Sequence, residues 1–169
     1  MNEVVIDAGP IIHLSQLKLF HLFDLFPQLH TTTEVWREIT RFNLPGKEEA
    51  ERSKKIRIHR ILKKEKEKVM LAIKDFRLQS ADFSLLALCN KLVAHAFLTD
   101  DLELRRAAEV LSLETQGSLG IIIRAYKKKW LSFFETQEAL NNLFNISTLY
   151  LSSKLLNRVL TERSKGEKP

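Results

Sequence analysis

Short β-branched or apolar runs alternate with stretches of helical periodicity along most of this chain. Val4-Val5-Ile6 reads as a buried strand. Pro10 suits the first turn of a helix that carries Ile11, Ile12 and Leu14. The apolar and aromatic segment from Leu17 to Phe26 predicts a second short helix, ended by Pro27. A second strand is expected near residues 29–32, then a helix over about 33–41, with Thr31 and Glu34 at capping-box spacing. Leu44-Pro45-Gly46 is a break. Beyond it Ile56 and Ile58 alternate with Arg57 and His59 as a half-exposed strand would. Helical spacing returns over about 63–76 and, most clearly, over 80–93. Ala96-Phe97-Leu98 predicts a fourth strand, residues 101–111 a helix, and Leu113 a brief fifth strand. Further helices are predicted over 117–126, 135–143 and 148–160. Such alternation predicts an α/β three-layer sandwich around a central, mostly parallel sheet of four to five strands, with the two most apolar strands, the first and fourth, at its centre.

Composition narrows the class. The chain has 169 residues and is 44% hydrophobic with 5 Gly and 4 Pro, which suits one ordered domain and excludes low-complexity disorder. No stretch approaches the ~20 apolar residues of a membrane span, so no membrane partner is expected. The start is not basic and the first apolar run ends at an aspartate, unlike a signal peptide. A single cysteine, Cys89, excludes an internal disulfide and reads as a small core residue, compatible with a cytoplasmic location. The net charge of +6 favours polyanionic partners. His13, His21, His30, His59 and His95 are scattered without zinc spacing and read as surface or satisfied core residues.

Candidate chemistry lies in acids that interrupt apolar patterns. Asp7 follows the first strand directly, where α/β folds build their sites. In the helix over 33–41, Val35, Ile39 and Phe42 form a stripe, and Glu38 falls on the same face, so Glu38 is expected to point inward. Glu34, roughly 40° further round, reads as a first-turn capping acid. Asp82 stands three before Leu85, four before Leu86 and seven before Cys89, on the buried stripe of its helix. Asp100 and Asp101 follow the fourth strand; Asp101 suits a helix N-cap, and Asp100 has no such local role. These acids are expected to converge at one sheet edge as oxygen ligands for Mg²⁺ or Mn²⁺.

Substrate would then be held by cations. Arg105 and Arg106 lie near the expected mouth. The basic stretch from Lys47 to Lys68 is interleaved with Glu48, Glu49, Glu51, Glu65 and Glu67, and reads mainly as a solvated face. Phe20, Phe23 and Phe26 recur every third residue. With Leu17, Leu22 and Leu25 they leave few polar sides, which suggests a homodimer contact or a protein-docking groove.

The residues around these acids resemble the PIN-domain nucleases. The segment from Val4 through Asp7 to Leu14 is similar to the family's opening strand and first acid, and Thr33 to Ile39 to its second, carrying Glu38. Ser80-Ala81-Asp82 resembles the third and Thr99-Asp100-Asp101 the fourth, an ordered set spanning about residues 3–125. Residues 116–125 also resemble a toxin-like prokaryotic branch with an added carboxy-terminal helical segment. The third acid of that branch is often a glutamate preceded by glycine, and here it is Ala81-Asp82, one methylene shorter. The resemblance implies a PIN-like domain over 1–127, a helical extension over 128–163 packed on it, and a disordered tail over 164–169. It further implies a metal-dependent endoribonuclease with Asp7, Glu38, Asp82 and Asp100 as catalytic acids, Asp101 as an additional metal ligand, RNA as substrate, and an antitoxin protein as partner. The alternative is a non-catalytic nucleic-acid or protein-binding module on the same fold.

Overall fold

A computed structural model describes residues 3–145. The predicted helix over 148–160 and the tail over 164–169 lie outside them. Five parallel strands form one sheet: β1 (Val4–Ile6), β2 (Leu29–Thr32), β3 (Ile56–His59), β4 (Ala96–Leu98) and β5 (Thr115–Gln116), in the order β3-β2-β1-β4-β5. The central place of β1 and β4 follows from their composition: every residue of both is buried, so each needs a neighbour on both edges and cover on both faces. The polar, half-exposed β3 takes an edge. The fifth strand is Thr115–Gln116 rather than Leu113, because Leu113 packs in the turn that leads to it.

Helices cover both faces: α1 (Ala8–Gln16), α2 (Thr33–Arg41), α3 (Lys47–Arg52), α4 (Lys63–Ala72), α5 (Ser80–Leu92), α6 (Leu102–Val110), α7 (Ser118–Lys127) and α8 (Phe133–Asn145). The chain winds outward from β1 to β3, returns to β4, and winds outward again to β5. With right-handed crossovers this reversal sends α1 and α7 to one layer and α4 and α5 to the other. It also makes the gap between β1 and β4 the topological switch point, where the outgoing chains diverge and leave a crevice at the strands' carboxyl ends. Asp7 and Asp100 both stand there.

Several local expectations change. The segment 17–26 holds a 3-10 turn, Phe20–Leu25, in place of a regular helix. Leu22, Phe23 and Phe26 are buried, and Leu17, Phe20 and Leu25 pack against the same core. Most of the aromatic stripe therefore packs on the domain's own core, while Leu17, Phe20 and Leu25 keep part of their surface exposed. The short helix α3 was not expected from the charge-dense sequence. Gly46, at φ +91°, supplies the left-handed turn that starts it. A Cβ there would also stand 2.6 Å from Ser15 Oγ and 2.8 Å from Ile11 Cγ2. Within the basic stretch Lys66 pairs with Glu34, Lys55 with Asp24, Arg52 with Glu48 and Lys63 with Glu67. Among the described residues no helix is long and apolar enough to cross a membrane.

Candidate active site

The site begins with the end of β1. The Asp7 amide donates to the Leu98 carbonyl at 2.9 Å, which ties the first acid to the last residue of β4. One Asp7 oxygen accepts from the Ala8 amide at 2.7 Å and the other from the Thr99 hydroxyl at 2.8 Å. Thr99 in turn accepts from the Asp101 amide at 3.2 Å. The two strand ends thus hold each other in register, and the Asp7 carboxylate is fixed in one orientation. Burial pushes its pKa up to about 6; the hydrogen bonds from Thr99 and Ala8 oppose this, and repulsion from Asp82 and Glu38 adds to it.

Asp82 opens α5. Its Oδ2 accepts from the Gln79 amide at 2.7 Å, so the helix-start role and the site-facing role belong to the same side chain. Burial raises its pKa despite that bond, and Asp101 and Glu103 raise it further. Asp101 caps α6, its Oδ1 accepting from the Leu104 amide at 2.8 Å, and it remains exposed.

Glu38 departs from the expected orientation. It is exposed at the rim, because Trp36 also packs on the core and rotates the buried arc of α2 away from it. On a helical wheel the Val35-Ile39-Trp36 arc is centred roughly 100° from Glu38. Glu34 is not a cap. The cap is Thr32, which accepts from the Val35 amide, while Thr31 donates to the Ile6 carbonyl at 2.8 Å. Glu34 Oε1 accepts instead from Lys66 Nζ at 3.0 Å and from Ser84 Oγ at 2.9 Å. Burial opposes its ionisation, but those bonds win and its pKa is lowered.

Asp100 has the local role that the sequence did not reveal. Its side chain is 4% exposed. Oδ2 meets His13 Nδ1 at 2.7 Å and the Ser118 hydroxyl at 2.5 Å; Oδ1 accepts from the Ser118 amide at 2.8 Å and lies 3.5 Å from the Arg105 guanidinium. Burial alone would raise its pKa, yet the bonds from His13 and Ser118 hold it below the usual carboxylate range. It joins α1, α6 and the start of α7. Gly117 makes room for this: a Cβ there would fall 2.0 Å from an Arg105 nitrogen and 2.5 Å from Asp100 Oδ1. Arg105 also donates from Nε to the Thr99 carbonyl at 2.9 Å. It is therefore engaged inside the protein, whereas Arg106 is exposed. His13, Thr99 and Ser118 carried no signal in the sequence, since each lies in a different segment and gains its role through tertiary contact.

Asp7 thus lies within electrostatic range of Asp82 and Glu38, and Asp82 within range of Asp101 and Glu103. Among the described residues, no three His, Cys, Asp or Glu side chains stand as a ready-made metal-holding group. The donor chemistry nevertheless suits a hard divalent cation: oxygen ligands, mutual repulsion, and two carboxylates whose proton affinity is raised. Residues 3–165 match the PIN-domain family. The chain belongs to the PIN-domain family of nucleases. No curated protein sequence matches this PIN domain. Among solved structures, the Mycobacterium tuberculosis toxin VapC20, described as cleaving the sarcin-ricin loop, is similar at 14% identity and a TM-score of 0.47, over 62% of this chain and 94% of that one.

Proposed function

We propose that this PIN domain is an endoribonuclease dependent on Mg²⁺ or Mn²⁺, the toxin of a pair whose antitoxin is a protein. The observation that carries the reading is Asp7: a partly buried carboxylate at the switch point, oriented by Thr99 and Ala8, and repelled by Asp82 and Glu38. Such a group costs stability unless positive charge reaches it. Asp7, Asp82 and Asp101, with Glu38 at the rim, are the acids that would hold the ion. Bound divalent metal supplies an activated water and positive charge at the scissile phosphate. The chain's own part is positional. Thr99 orients Asp7, Gln79 orients Asp82, and the Asp100 network locks the starts of α6 and α7 around the crevice.

The test is cleavage of single-stranded RNA with Mn²⁺, with Mg²⁺ and with EDTA, for wild type, Asp7→Asn and Asp101→Asn. Wild type should cleave with either metal and not in EDTA, and both variants should lose turnover while remaining folded. Turnover retained in Asp7→Asn would refute the role given to it. Absence of cleavage together with salt-dependent RNA binding would make the domain a binding module instead.

A further inference from the structure

Phe42 was expected in the core, as the third member of the Val35-Ile39 stripe. It is instead 65% exposed. The cause is local. Phe42 is the C-cap of α2, and Asn43 follows in the left-handed region at φ 50°. The Leu44 amide donates back to the Ile39 carbonyl at 3.1 Å, the six-to-one bond of a Schellman turn. The turn fixes the backbone and presents the ring to solvent. An aromatic side chain held outward on an ordered turn loses apolar burial for no structural return.

Its surroundings indicate what it meets. A cavity of about 680 Å³ opens here, lined by Glu34, Arg37, Glu38, Arg41, Phe42 and Gln79, among others. The Arg41 guanidinium lies 5.7 Å from the Phe42 ring centroid. Arg37 and Arg41 sit one turn apart on α2, both exposed, and neither forms an ion pair among the described residues. The cavity adjoins the acids through two of its lining residues. Glu38 is one of its walls, and Gln79 is the residue whose amide binds Asp82.

We infer that this cavity is a subsite for an unpaired nucleotide of single-stranded RNA next to the cleavage site, with a base stacked on Phe42 and flanking phosphates on Arg37 and Arg41. This rests on the ribonuclease reading above and names where its substrate lies. A base stacks on an aromatic face irrespective of sequence, and the two exposed guanidinia one helical turn apart beside it can meet the flanking phosphates. A base-paired strand cannot offer a free base face here, so duplex RNA should not use the subsite.

The experiment uses a fluorescein-labelled unstructured RNA, the same RNA annealed to its complement, and the single strand with one abasic position, each with full-length wild type, Phe42→Ala, Phe42→Trp, Arg37→Gln and Arg41→Gln. Anisotropy gives Kd across a salt series, and gel analysis gives cleavage with Mn²⁺. Stacking removed by an alanine weakens single-strand binding by roughly tenfold, and Phe42→Trp restores it. Each arginine variant lowers the salt slope by about one phosphate contact. Duplex binding is unchanged by Phe42→Ala, and the abasic strand binds wild type as the intact strand binds Phe42→Ala. If wild type cleaves the single strand and Phe42→Ala matches it in Kd and rate, the subsite is overturned while the ribonuclease reading stands, and the face is left for a protein partner. If wild type neither binds nor cleaves any of the three RNAs with metal present, both fail together.

Discussion

Replacing Asp7 by asparagine should destroy turnover and, without metal, make the folded protein more stable at neutral pH. Asp7 titrates at about 6 in the fold against 3.8 for a free aspartate. At about 1.4 kcal/mol for each tenfold difference, ionisation of Asp7 in the fold costs on the order of 3 kcal/mol. The raised value sets the sign. The folded state holds the Asp7 proton more tightly than the unfolded chain, so this stability is present below about pH 4 and lost as pH rises through about 6. Asparagine carries no charge at any of these values. It keeps an acceptor for the Ala8 amide but presents an NH₂ to the Thr99 hydroxyl, which costs about 1 kcal/mol. Partial exposure of Asp7 trims the gain further. The net expectation is about 2 kcal/mol, or roughly 4–8 °C in Tm for a chain of this size, at pH 7.5, and near pH 4 the gain is gone and Asp7→Asn is at most equal to wild type or slightly less stable. The assay is thermal unfolding of both proteins in EDTA from pH 4 to 8, repeated with Mn²⁺ at pH 7.5. Metal should raise the wild-type Tm and leave Asp7→Asn nearly unmoved. The reasoning is refuted if Asp7→Asn is the less stable protein at pH 7.5, or if the difference does not change with pH.

Three further outcomes follow from the same geometry. Asp100→Asn removes the buried carboxylate that meets His13 and Ser118 and faces Arg105, and should cost about 3 kcal/mol in urea unfolding; because the Asp100 pKa is lowered, the wild-type advantage should fade as pH drops below about 4. Gly117→Ala drives a methyl into the Asp100-Arg105 contact and should destabilise by about 1–3 kcal/mol, measured by the same method, with no gain from lost glycine flexibility. Thr99→Val removes the hydroxyl that orients Asp7 and should weaken Mn²⁺ binding by about 10–100-fold in calorimetry while the fold persists.

Much of the fold was legible because its signals are local. Three-residue runs such as Val4-Val5-Ile6 and Ala96-Phe97-Leu98 have no polar face, so a buried place between two neighbours is the stable solution for each. Asp7 and Asp82 could be singled out for a related reason: an acid at the end of an apolar run, or on an apolar stripe, stands out against its own neighbours in sequence. The Phe20-Phe23-Phe26 pattern was equally plain, but a period of three cannot say what covers it: the core covers Phe23 and Phe26, while Phe20 stays partly exposed.

The chain by itself therefore determined the parallel α/β layering and the acids at the strand ends, since both depend on residues close together along the polymer. Only the tertiary structure decided how those acids divide their work. Asp100 and Asp101 are adjacent and identical in type, yet Asp100 is buried against His13 and Ser118, 87 and 18 positions away, while Asp101 is exposed and caps α6. The rotation of α2 that exposes Glu38, and the turn that turns Phe42 outward, likewise come from packing of Trp36 and from the left-handed Asn43. Helical periodicity specifies which residues share a face; what lies opposite that face is set by contacts between distant segments, and those fix the charge, burial and partners from which the chemistry arises.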